Sequence, residues 1–348
     1  MQNQYFVYVV CGAREHLESL HISIQFLKKR TTKEIIIITD KDRNEIVIDF
    51  PNVVHVSTPK HLTNQQASIF LKTSVHRYLP KGNFYCYLDT DILALTTDID
   101  MVFDQYQAPI IFAKDHFSID YFSPYALNCQ CLEEHQQKTD FITENLKQID
   151  QIIATHQQQK TYFLRKIKYK LSPTFYHLQN RFYLHKETGE WYLDKADKLD
   201  LNHMSASKSY QVKCSHLRDE IKSILTKEIS DQWTHWNGGL FLFTDESHTF
   251  LELWHRLTLE KFELPTWKTR DQGSLIETIW SMELQNQATL DKEWNFLIPG
   301  NKTELHFFDS CKFTEDGGNT VQKVNFAHVY QRFGDTSWRI WNQLMQLK

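Results

Sequence analysis

Short, continuously apolar runs alternate with helical patterns through the first 115 residues, and no other feature narrows the fold as much. Phe6 to Val10 is one such run, followed by Gly12, and Glu34-Ile35-Ile36-Ile37-Ile38-Thr39-Asp40 is a second. Between them His16 to Lys29 carries leucines, isoleucines and Phe26 at helical spacing. Val53 to Val56 makes a third strand, Ser68 to Tyr78 a helix that ends near Pro80, and Phe84 to Leu88 a fourth strand. Strands apolar on both faces need helices on both faces, so this part is expected to be a largely parallel α/β layer structure. In such sheets a ligand sits beyond the carboxyl ends of the strands, and Asp89 and Asp91 stand at that end of the fourth.

Ile110 to Ala113 reads as a further strand, and strand character returns at Leu240 to Phe243. The stretch between lacks the pattern and reads as mainly helical. Asp140 to His156 places Phe141, Ile142, Leu146, Ile149, Ile152 and Ile153 at intervals that fit one amphipathic helix. The chain therefore divides into 1–115, a helical insertion over 116–232, and 233–348. From Gln151 to Lys186 there is no acidic residue, while lysines and arginines alternate with tyrosines and phenylalanines. A solvated helix pair and a surface that attaches to anionic membrane both fit that composition.

With 39 Lys plus Arg against 43 Asp plus Glu, the net charge of -4 carries no general footprint of a nucleic-acid binder. The start, MQNQYFVYVVCGAREH, shows no basic leader, and no run approaches the ~18 apolar residues of a membrane span, so a cytoplasmic protein, peripheral to the membrane at most, is expected. The six cysteines are irregularly spaced and expected to be free thiols. Cys129-x-Cys131 and Cys214-x-His216 could assemble a zinc site from two halves, although the spacing is not the usual C-x-x-C.

Two carboxylates one residue apart at the end of a buried strand can share a hard divalent cation such as Mn²⁺ or Mg²⁺. Such an ion stabilises a departing diphosphate as a Lewis acid. Asp89 and Asp91 meet that need; in the bland alternative Asp91 caps a turn and Asp89 is solvated.

The run Tyr87-Leu88-Asp89-Thr90-Asp91-Ile92-Leu93 resembles the metal-binding segment of glycosyltransferases with the GT-A fold, and of glycosyltransferase family 8 in particular. Further segments match in order. Ser68 to Lys72 lies one helix before the Asp-x-Asp, and Lys72 takes the place of a basic residue near the nucleotide. Asn237-Gly238-Gly239 is similar to the strand entry that shapes the sugar pocket. Asp271-Gln272-Gly273 resembles the segment that closes on the donor sugar, and Asn325-Phe326-Ala327-His328 the late strand whose histidine completes the metal site. The resemblance spans about residues 5 to 115 and 233 to 340.

It implies an α/β, GT-A-like, Rossmann-type sheet for nucleotide-diphospho-sugar transfer, with a nucleotide-sugar half (1–115), the helical insertion, and an acceptor and sugar-pocket half (233–348). The site residues implied are Asp271, Gln272 and Asn237 for catalysis, and Val10, Cys11, Gly12, Lys72, Asp89, Thr90, Asp91 and Arg332 for the donor. Asp89, Asp91 and His328 are implied as metal ligands. The activity implied is transfer of a hexose, with retention, from a nucleotide sugar, a uridine one by the same resemblance, to a hydroxyl of a glycan, lipid or protein. His328 is followed by Gln331, Arg332, Gly334 and Trp338 where the family has glycine and then lysine-proline-tryptophan, so Arg332 stands for the lysine. Gly273 occupies the place of a frequent aspartate, so no nucleophile is assigned there. Were the enzyme inverting, Asp271 and Asp115 are the candidate bases. Trp233 and Trp236 could stack on a sugar or simply bury area. A nucleotidyltransferase, for which Val10 to Arg14 is a poor phosphate loop, and a non-catalytic glycan-binding protein are the alternatives.

Overall fold

The computed structural model describes residues 2–141, 212–226, 228–230, 232–300, 305–309, 312–315 and 322–348, with four short strands between 175 and 199. Contacts divide the chain into one unit of Met1–Cys129 with Lys213–Lys348 and another of Gln130–Val212. Both boundaries fall inside the 116–232 stretch.

The first unit is built on a six-stranded sheet. Its strands are β1 (Gln4–Val9), β2 (Glu34–Thr39), β3 (Val53–His55), β4 (Phe84–Leu88), β6 (Ile110–Ser118) and β11 (Thr234–Phe243), in the order β3-β2-β1-β4-β11-β6. The first four run parallel, and β11 is antiparallel to both β4 and β6. Helices α1 (Arg14–Lys28) and α2 (Asn64–Thr73) make the parallel crossovers, as a parallel pair requires. α2 starts earlier than the apolar spacing indicates because Thr63 and Gln66 form a capping box. It stops at Thr73, and Val75–Tyr78 continues as a separate 3₁₀ turn.

Alternation along β1 sorts the two cores. Phe6, Tyr8 and Val10 face Leu17, Leu20, Ile24 and Leu27 of α1, while Val7, Val9 and Cys11 face Ala67 and Leu71 of α2. The second core also takes Phe250 and Trp254 from a helix at His248–Phe262 and Leu275 and Ile279 from one at Arg270–Ser281. A buried ion pair, Lys261 to Glu277 at 2.6 Å, joins these two helices, and Lys261 also lies over the Trp267 ring.

β6 and β11 are longer than their apolar cores suggest, because Thr234 pairs with Ser118 and Trp236 with Lys114 beyond a polar stretch. Between the pairs Asn237–Ala113 and Phe241–Phe112, β11 advances from 237 to 241 while β6 moves only from 113 to 112. This bulge frees Gly238, Gly239 and Leu240 from the β6 ladder just after Asn237, the kind of irregularity that re-aims side chains at a site.

A second, three-stranded sheet sets the site's geometry. β5 (Ile92–Ala94) follows Asp91 and pairs antiparallel with β16 (Phe326–His328), which runs parallel to β12 (Phe296–Leu297). His328 stands opposite Ile92, and Val329 N–H donates to Asp91 O at 3.0 Å. Three further strands, β13 (Leu305–Asp309), β14 (Lys312–Glu315) and β15 (Gln322–Lys323), form an antiparallel sheet before the last helix, Arg339–Gln346.

The second unit contains a four-stranded antiparallel sheet, β7 (Phe175–His177), β8 (Phe182–His185), β9 (Trp191–Leu193) and β10 (Asp197–Leu199), joined in sequence order. Part of the stretch read as helical is therefore β-structure, in keeping with the strand preference of its aromatic residues. The helix expected over Asp140–His156 beyond residue 141, and the side chains of the basic, aromatic surface at Gln151–Lys186, lie outside the described residues. Among the described residues no helix is long and apolar enough to cross a membrane.

Candidate active site

β4 ends at Leu88, paired with Leu240 of β11, and one residue on Asp89 N–H donates to Gly239 O at 2.8 Å. The parallel half of the sheet thus meets the start of an antiparallel strand at the carboxylate pair. Asp89 and Asp91 are each half-buried, and the β5–β16 pairing brings His328 to them. Ligand atoms of Asp89, Asp91 and His328 all lie within 4.8 Å of one another. His328 Nε2 is 3.3 Å from Asp91 Oδ1, and its Nδ1 is 3.1 Å from Asn295 Oδ1, so Nε2 is the atom turned toward the carboxylates.

This donor set fits a divalent cation. Asp91 Oδ1 is buried and meets no hydrogen-bond donor in good geometry, its polar neighbour being the His328 ring. Two hard carboxylates and one imidazole are ligands that Mn²⁺ accepts. Burial acts to raise the Asp91 pKa, but His328 outweighs it and holds the carboxyl below its ordinary value. Burial conversely works to lower the His328 pKa, and Asp91 with Asp89 raises it.

Lys72, from α2, reaches the same place. Its Nζ is 3.1 Å from Asp89 Oδ2 and 3.4 Å from Asp271 Oδ2. Burial works to lower its pKa, and the two carboxylates more than compensate, so the ammonium keeps its charge. Tyr87 donates its hydroxyl to Asp89 Oδ1 at 2.6 Å, fixing the carboxylate from the other side.

A second chain of hydrogen bonds runs behind Asp91 and His328. Asn295 Nδ2 donates to Asn237 Oδ1 at 3.2 Å, Gly239 N–H donates to the same oxygen at 2.9 Å, and Asn237 Nδ2 donates to Asp115 Oδ2 at 2.9 Å. Gln272 accepts from Gly238 N–H at 3.1 Å through Oε1, and its Nε2 donates to the Trp236 carbonyl. Both ends of that amide hold the bulge in β11. Gly239 has no room for a side chain: a Cβ there would stand 2.6 Å from His328 Cε1 and 2.8 Å from Asn237 Oδ1. Gly273 is equally closed, a Cβ falling 2.4 Å from Trp267 Cζ3, so an aspartate at that position would overlap the indole ring.

Burial tends to raise the Asp115 pKa. The His235 and His116 rings, with hydrogen bonds from His116 and Asn237, outweigh it and leave the carboxyl well below the ordinary range. A carboxylate held so low is a weak proton acceptor.

A cleft of about 620 Å³ opens at this end of the sheet, within the range of small-molecule sites. Val10, Cys11, Lys72, Thr90 and Asp271 line it together with the two aspartates. Gly12 is set just behind it, where a φ of +101° and close contact with Asn64 admit only glycine. Asn237 and Gln272 support the floor through β11. Arg332 is engaged elsewhere: its guanidinium bonds Asp335 at 2.8 Å and lies over the Trp338 ring. Trp236 is wholly buried against Phe112, and Trp233 donates to the Gln285 carbonyl at 3.0 Å. Asn295 and Tyr87 are site residues that the sequence does not announce; Asn295 follows a short 3₁₀ turn with no motif around it. Another cleft, of about 590 Å³ between α1 and residues 46–50, carries none of these groups.

No family model matches the chain, and no curated protein matches it in sequence. Among solved structures, mouse xyloside xylosyltransferase 1 in its apo form is similar at 11% identity and a TM-score of 0.42, over 94% of this chain and 98% of that one. Galactosyltransferase LgtC, in complex with donor and acceptor sugar analogs, is similar at 9% identity and a TM-score of 0.41, over 99% of this chain and 94% of its own. An active-site mutant of LgtC is similar at 10% identity and a TM-score of 0.40, over 99% of this chain and 94% of its own. Likenesses this distant carry no inference about chemistry.

Proposed function

We propose that the chain is a metal-dependent glycosyltransferase that moves a hexose from a nucleoside-diphosphate sugar, a uridine one, to a hydroxyl of a glycan, lipid or protein. The observation that carries this reading is the meeting of Asp89, Asp91 and His328 at the mouth of a cleft also lined by Lys72 and Asp271. Asp89, Asp91 and His328 would hold a divalent cation, and Mn²⁺ or Mg²⁺ bound there would supply Lewis-acid stabilisation of the leaving diphosphate.

The chain's own groups divide the remaining work. Lys72 offers a permanent positive charge beside the carboxylates, where phosphate oxygens need one. Val10 and Cys11, at the end of β1, form the wall against which a nucleoside can lie. Asp271 is held by Lys72 at the helix start and is placed to accept a hydrogen bond from a sugar hydroxyl. Asn237 and Gln272 keep the β11 bulge in position rather than reacting. Asp115, whose carboxylate already accepts from Asn237, is the poorer of the two candidate bases that an inverting reaction would need.

Incubation with a panel of nucleotide sugars and Mn²⁺ tests the reading. Metal-dependent release of the nucleoside diphosphate is expected. Release of pyrophosphate would point instead to a nucleotidyltransferase, and sugar binding with no turnover to a non-catalytic protein.

A further inference from the structure

Three soft ligands from separate turns of the first unit meet away from the cleft. Cys129 follows the helix Ile119–Ala126, after Asn128 N–H bonds the Thr266 carbonyl at 2.9 Å. Cys214 sits where the chain re-enters the unit, its N–H bonded to Asp120 O at 3.0 Å and its thiol to Ser123 Oγ at 2.9 Å. His216 opens the helix His216–Leu225, whose Leu217 N–H also bonds Ser123 Oγ, at 2.8 Å. The two sulfurs are 3.9 Å apart, and the ligand atoms of Cys129, Cys214 and His216 all lie within 4.8 Å of one another.

The separation discriminates between two chemistries. Sulfurs each about 2.3 Å from one tetrahedral ion stand ~3.8 Å apart, whereas a disulfide needs about 2.05 Å. The observed spacing is that of a tetrahedral edge, and neither Cys129 nor Cys214 is in a disulfide. Two thiolates and an imidazole are ligands that select zinc over the hard cations suited to Asp89 and Asp91.

We propose that Cys129, Cys214 and His216 bind a structural Zn²⁺ distinct from the carboxylate site. Each thiol gives up a proton as it binds, the imidazole binds neutral, and no electron is transferred. The ion would join the point where the backbone leaves the first unit to the point where it returns, closing the long excursion of residues 130–212. Closing a long loop is the setting in which a metal clip has most to contribute.

The test uses the full chain purified under reducing conditions, dialysed against a mild chelator and analysed for metal by mass spectrometry. About one retained zinc per chain is expected, kept in Asp89→Asn and Asp91→Asn and lost in Cys129→Ser, Cys214→Ser and His216→Ala. Because these last variants can misfold, Co²⁺ is also exchanged into the wild-type protein. Thiolate-to-cobalt charge-transfer bands are expected there. Absence of retained zinc together with absence of those bands would overturn the proposal. So would a Cys129–Cys214 disulfide in peptide mapping without reductant, or retained zinc that disappears with Asp89→Asn.

Discussion

His328 Nε2 lies 3.3 Å from Asp91 Oδ1, and the two residues meet only because β16 pairs with β5. Asp89→Asn, Asp91→Asn and His328→Ala should each weaken Mn²⁺ binding and lower turnover by about 100-fold or more, a loss of several kcal/mol of charge stabilisation. Titration calorimetry with Mn²⁺ measures the first and nucleoside-diphosphate release the second. Wild-type metal affinity in all three variants would remove these residues from the metal site.

Lys72 balances Asp89 and Asp271. Lys72→Ala should weaken binding of a nucleoside diphosphate in the presence of Mn²⁺ by roughly tenfold or more, and Lys72→Arg by less, because the charge is kept while its reach changes. Equal affinity in wild type and Lys72→Ala would place the phosphates elsewhere.

Gly239→Ala should displace His328, since the added methyl would overlap its ring. Mn²⁺ affinity is expected to drop roughly 10- to 100-fold, as when the support of a metal ligand is lost. At Gly238 the nearest atom to an added Cβ is Gln272 Oε1 at 3.4 Å, so Gly238→Ala should leave metal affinity close to wild type. If the two variants bind Mn²⁺ alike, the close approach of β11 to His328 has no bearing on the site.

His255 is buried under α2, its Nδ1 2.8 Å from Thr73 Oγ1, and its pKa is lowered to about 4, mainly by burial and then by Arg77, against the pull of Glu252. Its folded pKa lies below the unfolded value of about 6.5, so the unfolded chain binds the extra proton in the window between. Stability contributed by the neutral ring is full above pH ~6.5 and is lost as pH falls toward 4. Thermal unfolding followed from pH 7 to 4.5 should show a midpoint that falls less steeply in His255→Gln than in wild type. Parallel curves would assign the acid sensitivity to other groups.

The parallel character of β1 to β4 is legible because Ile35 to Ile38 and Val7 to Val10 are apolar on both faces, which a doubly covered sheet accommodates; the order β3-β2-β1-β4 is not. Asp89 and Asp91 are legible for a related reason: they close such a strand. The junction that brings His328 to them is not, since β5 and β16 have three residues each and pair across most of the chain length. Nothing around Asn295 distinguishes it locally, and its importance comes from touching His328 and Asn237 at once. The strands at 175–199 carry the aromatic residues that were read with the neighbouring lysines as a helical surface, although aromatic runs of three or four residues suit strands as well.

The bond from Val329 N–H to Asp91 O ties the cleft to the order in which the polypeptide is made. A ribosome that has released β1 through β11 has already supplied every strand of the central sheet. Asp89 and Asp91 have been made by then, and their histidine has not. Only when the segment through Val329 emerges can β16 dock on β5, so the meeting of His328 with Asp89 and Asp91 comes late in biosynthesis, after the last strand of the central sheet has been made. A nascent chain stalled between Phe243 and Phe326 would carry all six strands of the central sheet and not yet His328.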